Sequence, residues 1–389
     1  VKRILVFASL SGAASFNHEA AAQSVLRRDV KLEAQFAQEE PVYRLTSLWG
    51  YEDQLSEGWS VNFRSDCFTQ SRGREAGANL LWGEDDASIA CLLLESSVKY
   101  QTFSAGMEVG RFEDVAGQSE LTRPSHPGRV NVLSPQSPFA LRQGFDQVQG
   151  ELLLGENGVI QAALVYQSDA RADEATRWVP LVKSQYLLHE WQLGLSFTES
   201  FLGHRASYAW NDQLLFYVDG AYQSLDPAVS EWKHLWLAGS SLTLPELGLD
   251  STFEYYRNAA GLSRGQALAE LDRIENGRRP LVLGQRAERQ FPMAPRDRGG
   301  VWQGSDFLSQ NYFYVRLRWP ELQSLLLTRL HNLDDGSAVE TASISWNLES
   351  GQTILLETQH FSGSMPTEFG FYGTRSTRAS MRLGLLANF

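Results

Sequence analysis

The final residues alternate strictly enough to decide what kind of structure they can join. Ala379, Met381, Leu383, Leu385, Ala387 and Phe389 fall on one phase of a two-residue period, while Arg378, Ser380, Arg382, Gly384 and Asn388 fall on the other, with Leu386 as the exception. Successive side chains of an extended strand point to opposite faces, so this segment has one apolar and one polar face. The pattern recurs. Trp59, Val61, Phe63 and Cys67 oppose Ser60, Asn62, Arg64 and Asp66; Phe103, Ala105, Met107 and Val109 oppose Thr102, Ser104, Gly106 and Glu108. Phe313, Val315, Leu317 and Trp319 oppose Tyr314, Arg316 and Arg318, and Ala342, Ile344, Trp346 and Leu348 oppose Thr341, Ser343, Ser345 and Asn347. The second faces are too polar for a protein core. One face in lipid and the other in water satisfies both, and in lipid such strands must close on themselves so that no backbone group is left at an edge. The expected fold is all-β, a transmembrane antiparallel up-and-down β-barrel over residues 41–389.

Composition agrees with this and removes other classes. The chain has 389 residues, 43% hydrophobic, 21% charged and 11% aromatic, enough for an ordered fold. No apolar run approaches the length of a membrane-spanning helix, a test to which alternating strands are invisible. The net charge of −12 disfavours nucleic acid, which requires a positive surface that releases counterions. The two cysteines, Cys67 and Cys91, make neither a disulfide framework nor a metal-ligand spacing.

At the N-terminus Lys2 and Arg3 precede the mostly apolar stretch Ile4 to Phe16, and Ala20-Ala21-Ala22 supplies a small-residue cleavage site. Residues 1–22 read as a secretory signal peptide and 23–40 as an N-terminal periplasmic segment. Without a lipobox cysteine, no lipid anchor is indicated.

The connections sort into two kinds. Short turns fall at Gly155 to Gly158, Pro245 to Gly248, Pro320-Glu321 and Glu349 to Gln352, and longer linkers at 111–142, 168–185, 220–231, 259–307 and 362–374. Candidate strands lie near 42, 58, 75, 88, 101, 143, 157, 186, 204, 233, 247, 308, 321, 338, 351 and 375, about sixteen in all, with fourteen to eighteen compatible because no clean turn divides Phe201 from Val218. Within 259–307, Leu262, Leu268, Leu271 and Ile274 suggest a short amphipathic helix ended by Asn276-Gly277, which either narrows the mouth or packs on other loops. The linker 111–142, stiffened by Pro124, Pro127, Pro135 and Pro138, suits an inward-folded constriction.

Phe389 on the outward phase resembles the C-terminal signal of Gram-negative outer-membrane barrels. Residues 91–144 resemble a group of Gram-negative porin-like outer-membrane proteins, some encoded beside lipid exporters of the resistance-nodulation-division type. The similar features are Leu94-Glu95-Ser96-Ser97-Val98-Lys99-Tyr100, Ala105-Gly106-Met107-Glu108, and a loop ending Val132-Leu133-Ser134-Pro135 with Arg142-Gln143-Gly144. The resemblance implies an outer-membrane porin-like channel that passes small polar or anionic solutes by pore size and lining charge. The alternative is a plugged barrel that docks partners or serves lipid export. Expected partners are outer-membrane lipid and lipopolysaccharide, the barrel-assembly machinery through Phe389, and further copies of the same chain.

On the inward phase the expected pore lining is Arg64, Asp66, Glu108, Glu151, Asp250, Glu254, Arg316, Arg318, Arg329, Arg378 and Arg382. Closure would bring Arg64 and Asp66 near Arg378 and Arg382. Arginines facing carboxylates either set a transverse field that favours anions beside the basic wall, or pair to keep the interior packed and hydrated. Neither an HExxH pair nor a GxSxG elbow is present, so no catalytic group, metal or cofactor is expected. His331 beside Asp334 and Asp335 reads as part of a turn, Asn332-Leu333-Asp334-Asp335-Gly336. Cys67 and Cys91 fall on strands expected not to be neighbours, which argues against a disulfide.

Overall fold

The computed structural model describes residues 25–36, 42–56, 58–70, 89–112, 145–167, 177–199, 201–226, 229–259, 261–267, 269, 309–320, 324–348, 352–364, 367–369 and 379–388. Among the described residues, eighteen strands follow one another along the chain. The first nine are β1 (Val25–Phe36), β2 (Val42–Ser56), β3 (Trp59–Gln70), β4 (Ile89–Gln101), β5 (Ala105–Phe112), β6 (Phe145–Leu154), β7 (Gly158–Gln167), β8 (Arg177–Leu188) and β9 (Trp191–Thr198). The rest are β10 (Phe201–Ala209), β11 (Leu214–Asp226), β12 (Val229–Leu244), β13 (Leu249–Asn258), β14 (Asn311–Trp319), β15 (Leu325–Asn332), β16 (Ala338–Asn347), β17 (Gln352–Ser362) and β18 (Ala379–Asn388).

Each strand pairs antiparallel with its sequence neighbours, and β1 pairs with β18, Asp29 facing Asn388 and Phe36 facing Met381. The sheet is therefore a closed up-and-down barrel, and every strand has a partner on both sides. All connections at one rim are two to five residues long. They include the 3-10 turn Pro245–Leu247, which ends on Gly248 at φ 54°. The longer linkers leave the opposite rim.

The alternation read from the sequence is the alternation of the wall. Trp59, Phe63, Met107, Leu152, Leu164, Leu195, Phe197, Phe253, Phe313, Leu383 and Leu385 form an exposed apolar belt, and Phe313 and Leu385 are 39% and 41% exposed. Trp346 is half-buried in the same belt. Aromatic pairs edge the belt at both rims. Trp59 with Tyr100 and Trp191 with Tyr208 mark the short-turn side, each with ring centroids 4.7 Å apart; Tyr166 with Trp178 and Trp236 with Tyr255 mark the other. Apolar bands flanked by such girdles suit a lipid bilayer and its two interfaces.

Three features of the sequence reading change. Residues 25–36 are not a segment outside the barrel, because β1 is the strand that closes it against β18. The count is eighteen, since β1 and two strands in 177–226 are added, while the strand expected near 75 lies outside the described residues. The expected linkers 168–185 and 220–231 contain strand, β8 starting at Arg177, β11 running to Asp226 and β12 starting at Val229, while 168–176 lies outside the described residues. Gly220 and the acidic Asp219 and Asp226 carry loop composition into a strand for a steric reason. A Cβ on Gly220 would lie 2.6 Å from His204 Nε2, so the glycine makes room for the neighbouring ring.

The expected separation of the cysteines is also overturned. β3 pairs directly with β4, and Cys67 faces Cys91. Val1 to Ser24, with the expected signal peptide, and Phe389 lie outside the described residues.

Candidate functional site in the barrel interior

Opposite the apolar belt, the inner phase carries charge held by neighbouring strands. On β13 and β14, Asp250 faces Arg318, Thr252 faces Arg316 and Glu254 faces Tyr314. Asp250 accepts a hydrogen bond from Thr243 Oγ1 at 2.9 Å. Glu254 is fully buried and accepts one from the Tyr217 hydroxyl at 2.5 Å, while Arg316 is 8% exposed. A buried carboxylate is tolerated when such donors replace its water.

On the earlier strands Glu108 accepts from Ser97 Oγ at 2.7 Å, and Glu151 from Gln101 and Gln161 at 3.2 and 3.4 Å. With Lys99 and Gln149 these two glutamates line a wall cavity of about 160 Å³. Arg64 faces Glu95, whose carboxylate accepts from Asn62 Nδ2 at 3.1 Å. Asp66 shares the phase of Arg64 on β3, and Arg382 faces the buried Glu357 on one side and Gln35 on the other. Arg378 lies outside the described residues.

Arg329 is a correction. It faces Val315 on β14 and Glu340 on β16, which puts it on the phase of the exposed Leu327. Its side chain is 56% exposed and pairs with Glu340 at 3.2 Å on the outer wall. β15 is apolar on both faces, with Leu326 and Leu330 buried inside and Leu327 outside, so its phase cannot be read from polarity. A second correction concerns proximity: β1 and β2 stand between Arg64 on β3 and Arg382 on β18.

The inner face carries further residues, Lys183 and Asp219 on the two strands absent from the sequence expectation and Glu357 on the strand expected near 351. Lys183 on β8 is 8% exposed, Asp219 on β11 2% and Glu357 on β17 3%. Arg205 on β10 crosses Gly194, where a Cβ would collide with the Arg205 side chain, to donate to Gln185 Oε1 at 2.6 Å. The available signal was the alternation of Val182 and Tyr186 with Lys183 and Gln185.

Toward the long-linker rim the interior is partly filled. Tyr217, Leu235, Leu237, Tyr256, Tyr312, Tyr314, Leu330, Val339, Phe361 and Phe369 form one buried cluster. Phe369 belongs to the segment after β17 and has no exposed surface. Its neighbour Glu368 accepts from the Tyr312 hydroxyl at 2.6 Å and Asn332 Nδ2 at 2.8 Å, while the Glu368 amide donates to Asp335 Oδ2 at 2.7 Å. These bonds hold the segment against the inner wall.

The helix expected in 259–307 begins among the described residues as a turn at 264–267. Ser263 donates to Gln266 Oε1 from both its amide and its hydroxyl, and Ala267 is buried. Leu271 and Ile274 lie outside the described residues, as does the linker 111–142 expected to fold inward, apart from Arg111 and Phe112, which end β5.

His331 sits on the outer phase, facing Phe313. Asp334 accepts from the amides of Gln310 and Asn311, and Asp335 from the Ser337 amide and hydroxyl. Gly336 has φ 78°. These carboxylates shape a turn, as the composition of that stretch suggested.

No family model matches the chain, and no curated protein sequence does. Solved structures do match. Acinetobacter baumannii OccAB2 aligns with a TM-score of 0.58 and 10% identity over 94% of this chain and 98% of that one. A BenF-like porin from Pseudomonas fluorescens Pf-5 gives 0.57 and 9% over 95% and 98%. Pseudomonas aeruginosa OccK2 in complex with glucuronate gives 0.56 and 10% over 95% and 98%. The chain has the fold of an outer-membrane porin. The resemblance read from residues 91–144 and this likeness in fold point to the same kind of barrel.

Proposed function

We propose that the chain is a passive outer-membrane channel for small polar or anionic solutes, with the short turns in the periplasm and the long linkers outside. The reading is supported by one arrangement above all: a closed wall that is apolar outside and lined inside by charges held in fixed positions. Lys183, Arg205, Arg316 and Arg318 would attract anions; Asp219 on β11 and Glu254 on β13 lie between the strands of Arg205 and Arg316 and would balance them locally, while Glu108 and Glu151 on β5 and β6 would form a separate acidic stretch. Arg64, Asp66, Asp250 and Arg382 would complete the lining. The glucuronate complex of OccK2 makes sugar acids the first solutes to test.

Purified protein in planar bilayers should conduct in discrete steps, with a reversal potential displaced toward the anion. No conductance at any voltage would remove the channel reading. It would favour a plugged barrel that docks partners or serves lipid export, a second reading supported by the buried cluster that includes Tyr312 and Phe369.

A further inference from the structure

The sequence places Cys67 and Cys91 far enough apart to be read as unrelated, yet the barrel sets them face to face. Cys67 lies three residues before the end of β3 and Cys91 two residues after the start of β4, at the strand ends that flank the linker 71–88. Their alignment depends on an irregularity in the pairing. Arg64 faces Glu95 but Ser65 faces Leu93, so Leu94 is an extra residue on β4. Had the register run on without that bulge, Cys67 would face Leu92, and Cys91 would be shifted to the other phase. Residues that face one another in an antiparallel pair have Cα atoms about 4.5 or about 5.5 Å apart, depending on the hydrogen-bonding type of the pair. Both separations fall within the span of about 4.4–6.8 Å that disulfides bridge.

We infer that Cys67 and Cys91 form a disulfide that ties β3 to β4 at the base of the linker 71–88. The inference rests on the outer-membrane reading, because that location exposes the chain to an oxidising compartment during export. The oxidant is a protein disulfide donor. One cysteine thiolate attacks the donor's disulfide to give a mixed disulfide and release one donor thiol. The second cysteine thiolate then attacks the first cysteine's sulfur and displaces the other donor thiol. The pair loses two electrons and two protons, and the donor ends as a dithiol. The bridge restricts the unfolded chain by closing the loop around the linker, so it stabilises the barrel without adding a contact to the pore.

The test uses the full chain, exported and recovered from cell fractions, quenched in acid and labelled with a maleimide under denaturing conditions before and after reduction. Protein from the outer-membrane fraction should take up no maleimide before reduction and two afterwards, and its unreduced digest should contain one peptide pair joining Cys67 to Cys91. In the Cys67→Ser variant, Cys91 should label without reduction. Two labelled cysteines in unreduced outer-membrane protein would overturn the disulfide and leave the barrel reading intact, as would a bridge between two chains. Recovery of the folded chain from the soluble fraction would overturn the location reading and the disulfide with it.

Discussion

The hydroxyl of Tyr217 on β11 reaches the Glu254 carboxylate on β13 at 2.5 Å by passing over β12 at Gly239. A Cβ at Gly239 would stand 2.5 Å from the Tyr217 ring, so three strands are coupled through one missing side chain. Tyr217→Phe removes a hydrogen bond to a buried charge and should cost about 1.5–3 kcal/mol. Gly239→Ala should destabilise by about 1–3 kcal/mol by forcing the ring aside. Urea unfolding of the protein in detergent, followed by tryptophan fluorescence, would measure both. A Gly239→Ala barrel as stable as the parent would contradict the crossing.

Charge reversal inside the wall should move selectivity. Arg316→Glu, and Arg382→Glu beside Glu357, should each shift the reversal potential in a salt gradient toward cations, whereas Glu151→Gln should shift it toward anions. Unchanged selectivity in all three would show that these charges serve packing alone.

Ionic strength supplies a test without mutation. Screening shortens from about 10 Å at 0.1 M salt to about 3 Å at 1 M, so any preference for anions should weaken steadily across that range. A preference that is flat with salt would point to size exclusion instead of lining charge.

The outward position of Arg329 separates it from the inner arginines. Arg329→Leu should leave unit conductance and selectivity as they are. Arg329→Glu would set two carboxylates side by side on the outer wall with Glu340 and should lower the yield of folded barrel, seen as loss of the fast-migrating unheated band on gels. A change in selectivity for Arg329→Leu would return that residue to the lumen.

The segment held by Glu368 and Phe369 should report on how full the interior is. Phe369→Ala removes a fully buried ring, at a cost of about 3–5 kcal/mol if the site cannot collapse. The segment should then loosen, and the channel should show greater open-state current noise and higher conductance. Identical traces from the parent and Phe369→Ala would place the segment away from the ion path.

The two-residue period made the barrel legible because lipid and water impose opposite demands on adjacent residues. Phe313, Trp346 and Leu385 could be assigned to the outer belt from the sequence alone. Arg329 could not, since the buried cluster gives β15 apolar residues on both faces. Lys183, Arg205 and Asp219 were missed for a different reason. Turns as short as 189–190 leave little compositional trace, and Gly194 and Gly220 look like loop residues although neighbouring side chains require them in strands. The pairing of Cys67 with Cys91 depends on a bulge and on the direct pairing of β3 with β4, neither of which a period can reveal.

The seam between β1 and β18 fixes the order in which the molecule can be made. Asp29 meets Asn388 only when nearly all the intervening chain has been synthesised and delivered, so the last zipper of backbone bonds joins the most distant partners in the sequence. Until then the growing sheet has two raw margins, each able to recruit a stranger. The nascent polypeptide must therefore be kept unpaired in transit, and its maturation should resemble the fastening of a clasp more than gradual accretion.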